Sequence, residues 1–136
     1  MRKHLFLDTN IVIDVLANRQ EALSAANLLQ EAIEGNVVLY MSALTVANIT
    51  YIMRKDMPKD VLKNKIKQLC KFIKISPLSG YEVVNALNIE NPDLEDAIQY
   101  FSAMSINADY IITRDASHFR YSSVPVVSAS EFMASS

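Results

Sequence analysis

The chain holds a single cysteine, Cys70, among 136 residues. One thiol cannot close an internal disulfide, so the fold must be held by its core, and a reducing compartment, the cytoplasm, is the expected setting. Glycine and proline are scarce, at two and four residues. That is too few for the many tight turns of an all-β sandwich. No apolar run is long enough to span a bilayer. The basic start Arg2-Lys3-His4 is followed by an apolar run that meets Asp8 too soon for a secretory signal. No association with a membrane is therefore expected. There is no excess of basic charge: the formal net charge is -2, which argues against non-specific binding of nucleic acid over the whole surface. Repeats, low-complexity tracts and linkers are also missing.

What is present is ordinary globular composition, 51% apolar and 21% charged, which supports a folded state over a disordered one. The length suits one domain, residues 1–136, with a sizeable core. One local basic feature stands out. Lys59, Lys63, Lys67 and Lys71 recur at i,i+4 spacing, opposite Leu62, Ile66, Leu69 and Ile73. The pattern is an amphipathic helix with a lysine ridge. Such a ridge is either a plain solvated face or a surface that steers a polyanion.

The elements alternate. Residues 3–8 read as a strand, residues 10–18 and about 21–34 as helices, with Gly35-Asn36 stopping the second. Residues 37–41 form a strand, and Ser42 caps a helix that runs to about Met53. Pro58 opens the lysine-ridge helix. A short strand follows near residues 72–75, and Ser79 to Asn88 is helical. Asn91-Pro92 starts the next helix, with Asn as its cap. Residues 109–113 and 124–127 are strands, and 130–134 a last helical turn. Strands alternating with helices, and few turns, predict an α/β fold: a three-layer α/β/α domain around a mainly parallel sheet.

Three separated acids fall at the edges of these elements. Asp8 follows the apolar run Leu5-Phe6-Leu7. Asp93 and Asp96, three residues apart and so on one helix face, open a helix with Glu95 between them, read as pointing away from that face. Asp115 follows the strand Tyr110-Ile111-Ile112-Thr113. In open α/β sheets ligands bind beyond the carboxyl ends of strands, and a pocket of carboxylates suits a hard divalent cation of the kind that works on phosphates. Each acid also has a structural reading. Asp8 can cap a helix, although Thr9 or Asn10 could do so; the helix dipole favours Asp93 and Asp96; Asp115 suits a turn. Asp14, further along the first helix, is read as facing solvent, and His118 as a loop residue paired with no nucleophile. Tyr100, Phe101, Phe119 and Tyr121 are candidates for stacking on bases, with Tyr100 and Phe101 better placed in the core.

The chain resembles the PIN domain, a metal-dependent ribonuclease fold that includes the VapC-type toxins of toxin–antitoxin systems. The resemblance rests on Leu7-Asp8-Thr9-Asn10, on Met41-Ser42-Ala43-Leu44-Thr45, on Asp93-Leu94-Glu95-Asp96-Ala97, and on Ile112-Thr113-Arg114-Asp115 with Phe119, in that order over nearly the whole chain. It implies that Asp8, Asp96 and Asp115 are catalytic and bind Mg²⁺ or Mn²⁺. It implies that Thr113 lines the pocket and that Asp93 assists Asp96. Asn10, Asn48 and Arg114 complete the surround, with Arg114 either neutralising a phosphate or solvated. There is one departure. The middle helix of the family carries an acid a few residues after the serine, and here that place holds Asn48, which offers a carbonyl oxygen but no charge. A site one charge short binds Mg²⁺ more weakly.

The function so implied is hydrolysis of phosphodiester bonds in single-stranded or looped RNA, whose phosphates and bases are accessible. An antitoxin protein and a second copy of the chain are the implied partners. Two other classes compete. One is a PIN-like module that binds RNA or protein and has lost activity, with Asn48 as the mark of the loss. The other is a different acidic-pocket fold. A haloacid-dehalogenase-type phosphohydrolase needs an acid two residues after Asp8, where Asn10 stands. A receiver domain needs a lysine after a late strand, where Arg114 stands.

Overall fold

The computed structural model describes residues 2–18, 22–90 and 93–135. Five strands, β1 (Lys3–Leu7), β2 (Val37–Ser42), β3 (Ile73–Ser76), β4 (Tyr110–Ile112) and β5 (Val126–Val127), form one sheet in the order β3-β2-β1-β4-β5. All four pairings are parallel. The crossovers carry α1 (Thr9–Ala17), α2 (Leu23–Ile33), α3 (Ala43–Ile52), α4 (Lys59–Leu69), α5 (Gly80–Asn88) and α6 (Leu94–Ser105). A 3-10 helix (Ala116–Phe119) separates β4 from β5, and α7 (Ala129–Ser135) closes the described chain. This is the α/β architecture read from the alternation of elements.

The central strand explains the layering. Alternate side chains of a strand point to opposite faces. Leu5 and Leu7 enter the larger core with Leu16, Leu28, Leu62, Ile66 and Phe132, so α1, α2, α4 and α7 supply its residues. Phe6 points the other way and meets Tyr100, Ala103, Ile111 and Phe119, from α6, β4 and the 3-10 helix. These three β1 side chains are almost wholly buried, a burial that stabilises by about 1.5–3 kcal/mol per side chain. A strand buried on both faces reads as an unbroken apolar run, as Leu5-Phe6-Leu7 does.

Several helix ends follow local chemistry. Asn18 stops α1 in the left-handed region, at φ 49 and ψ 46, a conformation Asn tolerates. Gly35, at φ 82, ends α2 where a side chain would be strained. Ser42 caps α3 by accepting a hydrogen bond from the Leu44 N–H at 3.0 Å. The lysine ridge of α4 lies outward, with Leu62, Ile66 and Leu69 inward. The expected start of α6 at Asn91-Pro92 lies outside the described residues. The cap of that helix is Asp93, whose carboxylate accepts from the Asp96 N–H at 3.0 Å. The strand bounds differ from the expected ones by a residue or two: Asp8, Thr113 and Val124 lie just outside β1, β4 and β5, whereas β2 extends to Ser42.

One buried polar group ties three helices together. Gln99 on α6 donates from Nε2 to the hydroxyls of Thr9 at 3.0 Å and Thr45 at 2.7 Å. The two hydroxyls are 2.8 Å apart and share a further hydrogen bond. Gln99 and Thr45 are fully buried and Thr9 nearly so. The contact locks the starts of α1 and α3 against the middle of α6.

Candidate active site

The chain order reverses direction across the sheet at β1: β2 and β3 lie on one side, β4 and β5 on the other. Beyond the carboxyl ends of β1 and β4 the two connections diverge, which leaves a crevice where ligands bind in open α/β sheets. Leu7 pairs with Ile112, and the Asp8 N–H reaches the Ile112 carbonyl at 2.9 Å. Asp8 and Thr113 therefore leave adjacent strands at the same edge.

Asp8 is 6% exposed. One carboxylate oxygen accepts from the Thr9 N–H at 2.9 Å, so Asp8 does cap α1. The other accepts from the Thr113 hydroxyl at 2.8 Å and from the Asn10 amide at 3.2 Å. Burial pushes its carboxyl above the usual range, against those hydrogen bonds, and Asp93 adds to the rise. Thr113 also accepts from the Asp115 N–H at 3.1 Å, so one buried hydroxyl connects the two strand ends. Asn10 accepts from the Arg114 N–H at 3.4 Å. Asp8, Asn10, Thr113 and the backbone of residues 114–115 thus form one hydrogen-bonded unit.

Asp96 approaches from α6. Burial, then the nearby charges of Asp93 and Asp8, push its carboxyl up to about 6. The residue that joins it to Asp115 is one that sequence reasoning left in a loop without a role. His118 faces Asp96 through Nδ1 at 3.2 Å and Asp115 through Nε2 at 2.9 Å. The signal available was its place three residues after Asp115, one turn along a 3-10 helix. Asp115 itself is half-exposed, and the Ser117 hydroxyl hydrogen-bonded to it holds its carboxyl low. Beside this group opens a cleft of about 520 Å³ lined by Asp93, Asp96, His118, Arg120 and Tyr121.

Glu95, the neighbour of Asp96, is exposed. Burial and the charges of Asp93 and Asp8 raise its carboxyl, while the Asn48 amide favours its charged form. The Asn48 Nδ2 is buried and has no hydrogen-bond partner.

Two further expectations change. Asp14 is not solvated: it is 2% exposed, and its carboxylate pairs with the Arg114 Nε at 3.2 Å. That pair sits beside Ser24, Ala25, Ser128 and Ala129, so the Arg114 side chain lies against α1, α2 and α7. Phe119 is buried in the core with Tyr100, out of reach of a base, whereas Tyr121 is partly exposed at the cleft. Two other hollows, of about 510 and 570 Å³, lie between α3 and α4 and hold none of these acids.

The model of the PIN domain matches residues 4–117. The chain belongs to the PIN domain family. No curated protein matches it. Solved structures do. One chain of FitAcB from Neisseria gonorrhoeae superposes with a TM-score of 0.71 at 21% identity, over 92% of this chain and 97% of that one. A chain of a toxin–antitoxin complex from Klebsiella pneumoniae gives 0.65 at 23% identity, over 92% and 97%. A chain of VapBC2 from Rickettsia felis, bound to a promoter DNA fragment, gives 0.67 at 17%, over 91% and 96%. At such identities the likeness is one of fold. Within that PIN fold, Asp8, Asp96 and Asp115 flank one crevice.

The donors fit a hard divalent cation in kind, being carboxylate and amide oxygens that repel one another when charged. Among the described residues no three His, Cys, Asp or Glu side chains are gathered tightly enough to grip an ion as they stand. His118 lies between Asp96 and Asp115, so closing around an ion requires those carboxylates to turn from the imidazole.

Proposed function

We propose that the protein is a metal-dependent endoribonuclease, and the toxin of a toxin–antitoxin pair acting in the cytoplasm. The observation that carries this reading is the gathering of Asp8, Asp93 and Asp96 at the switch point of a PIN fold, where burial, then the charges of Asp93 and Asp8, pushes the Asp96 carboxyl up to about 6. Carboxylates held together against their own charge suit a site completed by a cation. Asp8, Asp96 and Asp115 would hold Mg²⁺ or Mn²⁺, which when bound polarises a scissile phosphate and acidifies a water. Thr113 and Asn10 fix the orientation of Asp8, and Asp93 anchors Asp96 by capping its helix. Arg120 and Tyr121 lie at the cleft where an RNA phosphate and base would approach. Single-stranded or looped RNA fits, because its bases can leave their stack to meet an exposed ring. Arg114 is better placed to hold α1 to the β4 end than to meet a phosphate.

The complexes named above motivate an antitoxin protein as partner. A homodimer is supported by the exposed apolar residues Tyr81, Val84 and Leu87 of α5. Among the described residues no helix is long and apolar enough to cross a membrane.

The test is cleavage of a panel of structured RNAs with and without Mn²⁺, comparing wild type with Asp8→Asn and Asp96→Asn. Cleavage that needs both the metal and the two acids supports the reading. RNA binding without cleavage supports a second reading, which Asn48 motivates: a PIN module that has lost activity and binds RNA or protein.

A further inference from the structure

The cleft of about 520 Å³ beside the acids is lined from two segments, residues 90–96 and residues 117–121. Within it, Asp93 is taken up in capping α6, and Asp96 faces His118. Glu90 and Arg120, one from each segment, are exposed. Among the described residues neither side chain is in a hydrogen bond or salt bridge. Tyr121, also at the cleft, is 36% exposed. Its ring stands edge-on to the buried Tyr100, with centroids 5.1 Å apart and planes at 86°, and lies 6.5 Å from the Phe119 ring. The Tyr100 hydroxyl is held in turn by that of Ser123 at 3.0 Å, and the Ser122 N–H closes the turn onto the Phe119 carbonyl at 3.0 Å. The Tyr121 ring is therefore set before a ligand arrives, so stacking on it costs little ordering.

A cavity of this size takes a small ligand. An unstacked base is recognised by an aromatic face and by hydrogen bonds on its Watson–Crick and Hoogsteen edges. The cleft offers a ring, a carboxylate acceptor and a guanidinium donor. Guanine matches all three. Its N1–H and N2–H are neighbouring donors that one carboxylate accepts together, and its O6 and N7 are neighbouring acceptors that one guanidinium serves. Adenine and cytosine set an acceptor nitrogen beside their amine, so a carboxylate there gains one hydrogen bond and meets a lone pair. Uracil has a single ring donor between two carbonyl oxygens. We propose that the cleft is a guanine-selective base subsite beside the acids: the base stacks on Tyr121, Glu90 accepts from N1 and N2, and Arg120 donates to O6 and N7 in preference to a phosphate. This rests on the reading of the protein as a ribonuclease and deepens it by naming the base next to the cleaved bond.

The experiment is fluorescence anisotropy of labelled uridine heptamers whose central base is guanine, hypoxanthine, 7-deazaguanine, adenine or uracil. It is run in EDTA, so that metal-dependent cleavage does not intervene, with thermal melts to verify folding. Wild type is expected to favour guanine over adenine or uracil about tenfold, the scale of one bidentate base contact. Hypoxanthine lacks the N2 amine and 7-deazaguanine lacks N7, so each should bind less well than guanine. Glu90→Gln should bring hypoxanthine level with guanine and keep the loss with 7-deazaguanine, and Arg120→Gln should do the reverse. Ratios taken within one variant cancel the change in overall charge. Tyr121→Leu should weaken guanine binding about tenfold, the scale of base–aromatic stacking, and Tyr121→Phe should match wild type. Equal binding of all five RNAs, no saturable binding of any, or a guanine preference that survives the Glu90 and Arg120 substitutions overturns the proposal. Cleavage in Mn²⁺ without that preference leaves the ribonuclease reading standing and the subsite refuted. A preference carried by Glu90 and Arg120 without cleavage in Mn²⁺ keeps the subsite, in a module that binds RNA, and refutes the nuclease.

Discussion

Replacing Asp96 by Asn should stabilise the metal-free protein at neutral pH. An acid whose pKa is raised by folding binds its proton more tightly in the folded state. Stability is then greatest below the unfolded value and is lost as pH rises toward the folded one. For Asp96 that window runs from 3.8 to about 6. The unscreened cost of charging it is about 3 kcal/mol at about 1.4 kcal/mol per unit. Asp96 borders an open cleft, so solvent screening reduces this to about 1–2 kcal/mol. Asn has the same shape and still offers an oxygen to the His118 Nδ1 now 3.2 Å away. The charged part of that contact is lost, but His118 is half-exposed and such pairs contribute about 0–1 kcal/mol. A net gain therefore remains, equivalent to a Tm rise of roughly 3–7 °C for a domain of this size. Thermal and urea unfolding without metal at pH 7.5 and pH 4 should show the variant ahead at the higher pH and level with wild type at the lower. Millimolar Mn²⁺ should then reverse the order, because only the wild type gains by mass action from the ion. A variant less stable than wild type at pH 7.5 without metal would mean that the acids are not crowded, and the main support for a cation site would be gone.

Thr113→Val keeps the shape of a buried side chain but removes the hydroxyl that Asp8 and the Asp115 N–H both use. It should raise the Asp8 pKa further, measured by NMR titration, and weaken Mn²⁺ binding more than it lowers Tm. Gln99→Leu removes two buried hydrogen bonds while leaving Thr9 and Thr45 bonded to each other. A loss of about 1–3 kcal/mol in urea unfolding is expected, and a loss under about 0.5 kcal/mol would show that the triangle does not hold the three helices. Arg114→Gln takes a charged partner from the buried Asp14. It should cost about 1–3 kcal/mol, and the loss should shrink in Asp14→Asn, where no charge remains to be compensated. His118→Asn should leave stability nearly unchanged and alter Mn²⁺ affinity, since the half-exposed ring contacts the Asp96 and Asp115 carboxylates.

The fold was legible because its signals are local or periodic. Leu5-Phe6-Leu7 reads as a strand buried on both faces, and α4 shows its apolar and lysine faces at i,i+4 spacing. The edge position of Asp8 and Asp115 followed from the strands that precede them. The strand ends were less legible, because apolar runs continue past the last ladder bond: Val124 is buried against Phe119 and Tyr100 without being paired. Asp14 was misread because a helix pattern predicts the side on which a residue lies but not its partner a hundred residues later. Its apolar neighbours Ile11, Val12 and Ile13 are all buried, and Arg114 pairs with the carboxylate among them.

The remaining site residues were hidden for a different reason, which bears on how departures from a family pattern should be read. Position 48, taken alone, is a lost charge. Glu95, taken alone, is a helix N-terminal acid that the dipole explains. Where each stands depends on how α6 is seated against α1 and α3, through Gln99 bridging Thr9 and Thr45. No run of residues encodes it, because the three partners come from three helices. His118 is alike in this respect: its contact with Asp115 is local, but its contact with Asp96 needs the 3-10 helix to be packed on α6 through Phe119 and Tyr100. A site assembled from several elements draws its charge from more than one of them. The absence of an acid at one position is therefore weak evidence of lost activity while Asp8, Asp96 and Asp115 stay linked through Thr113 and His118.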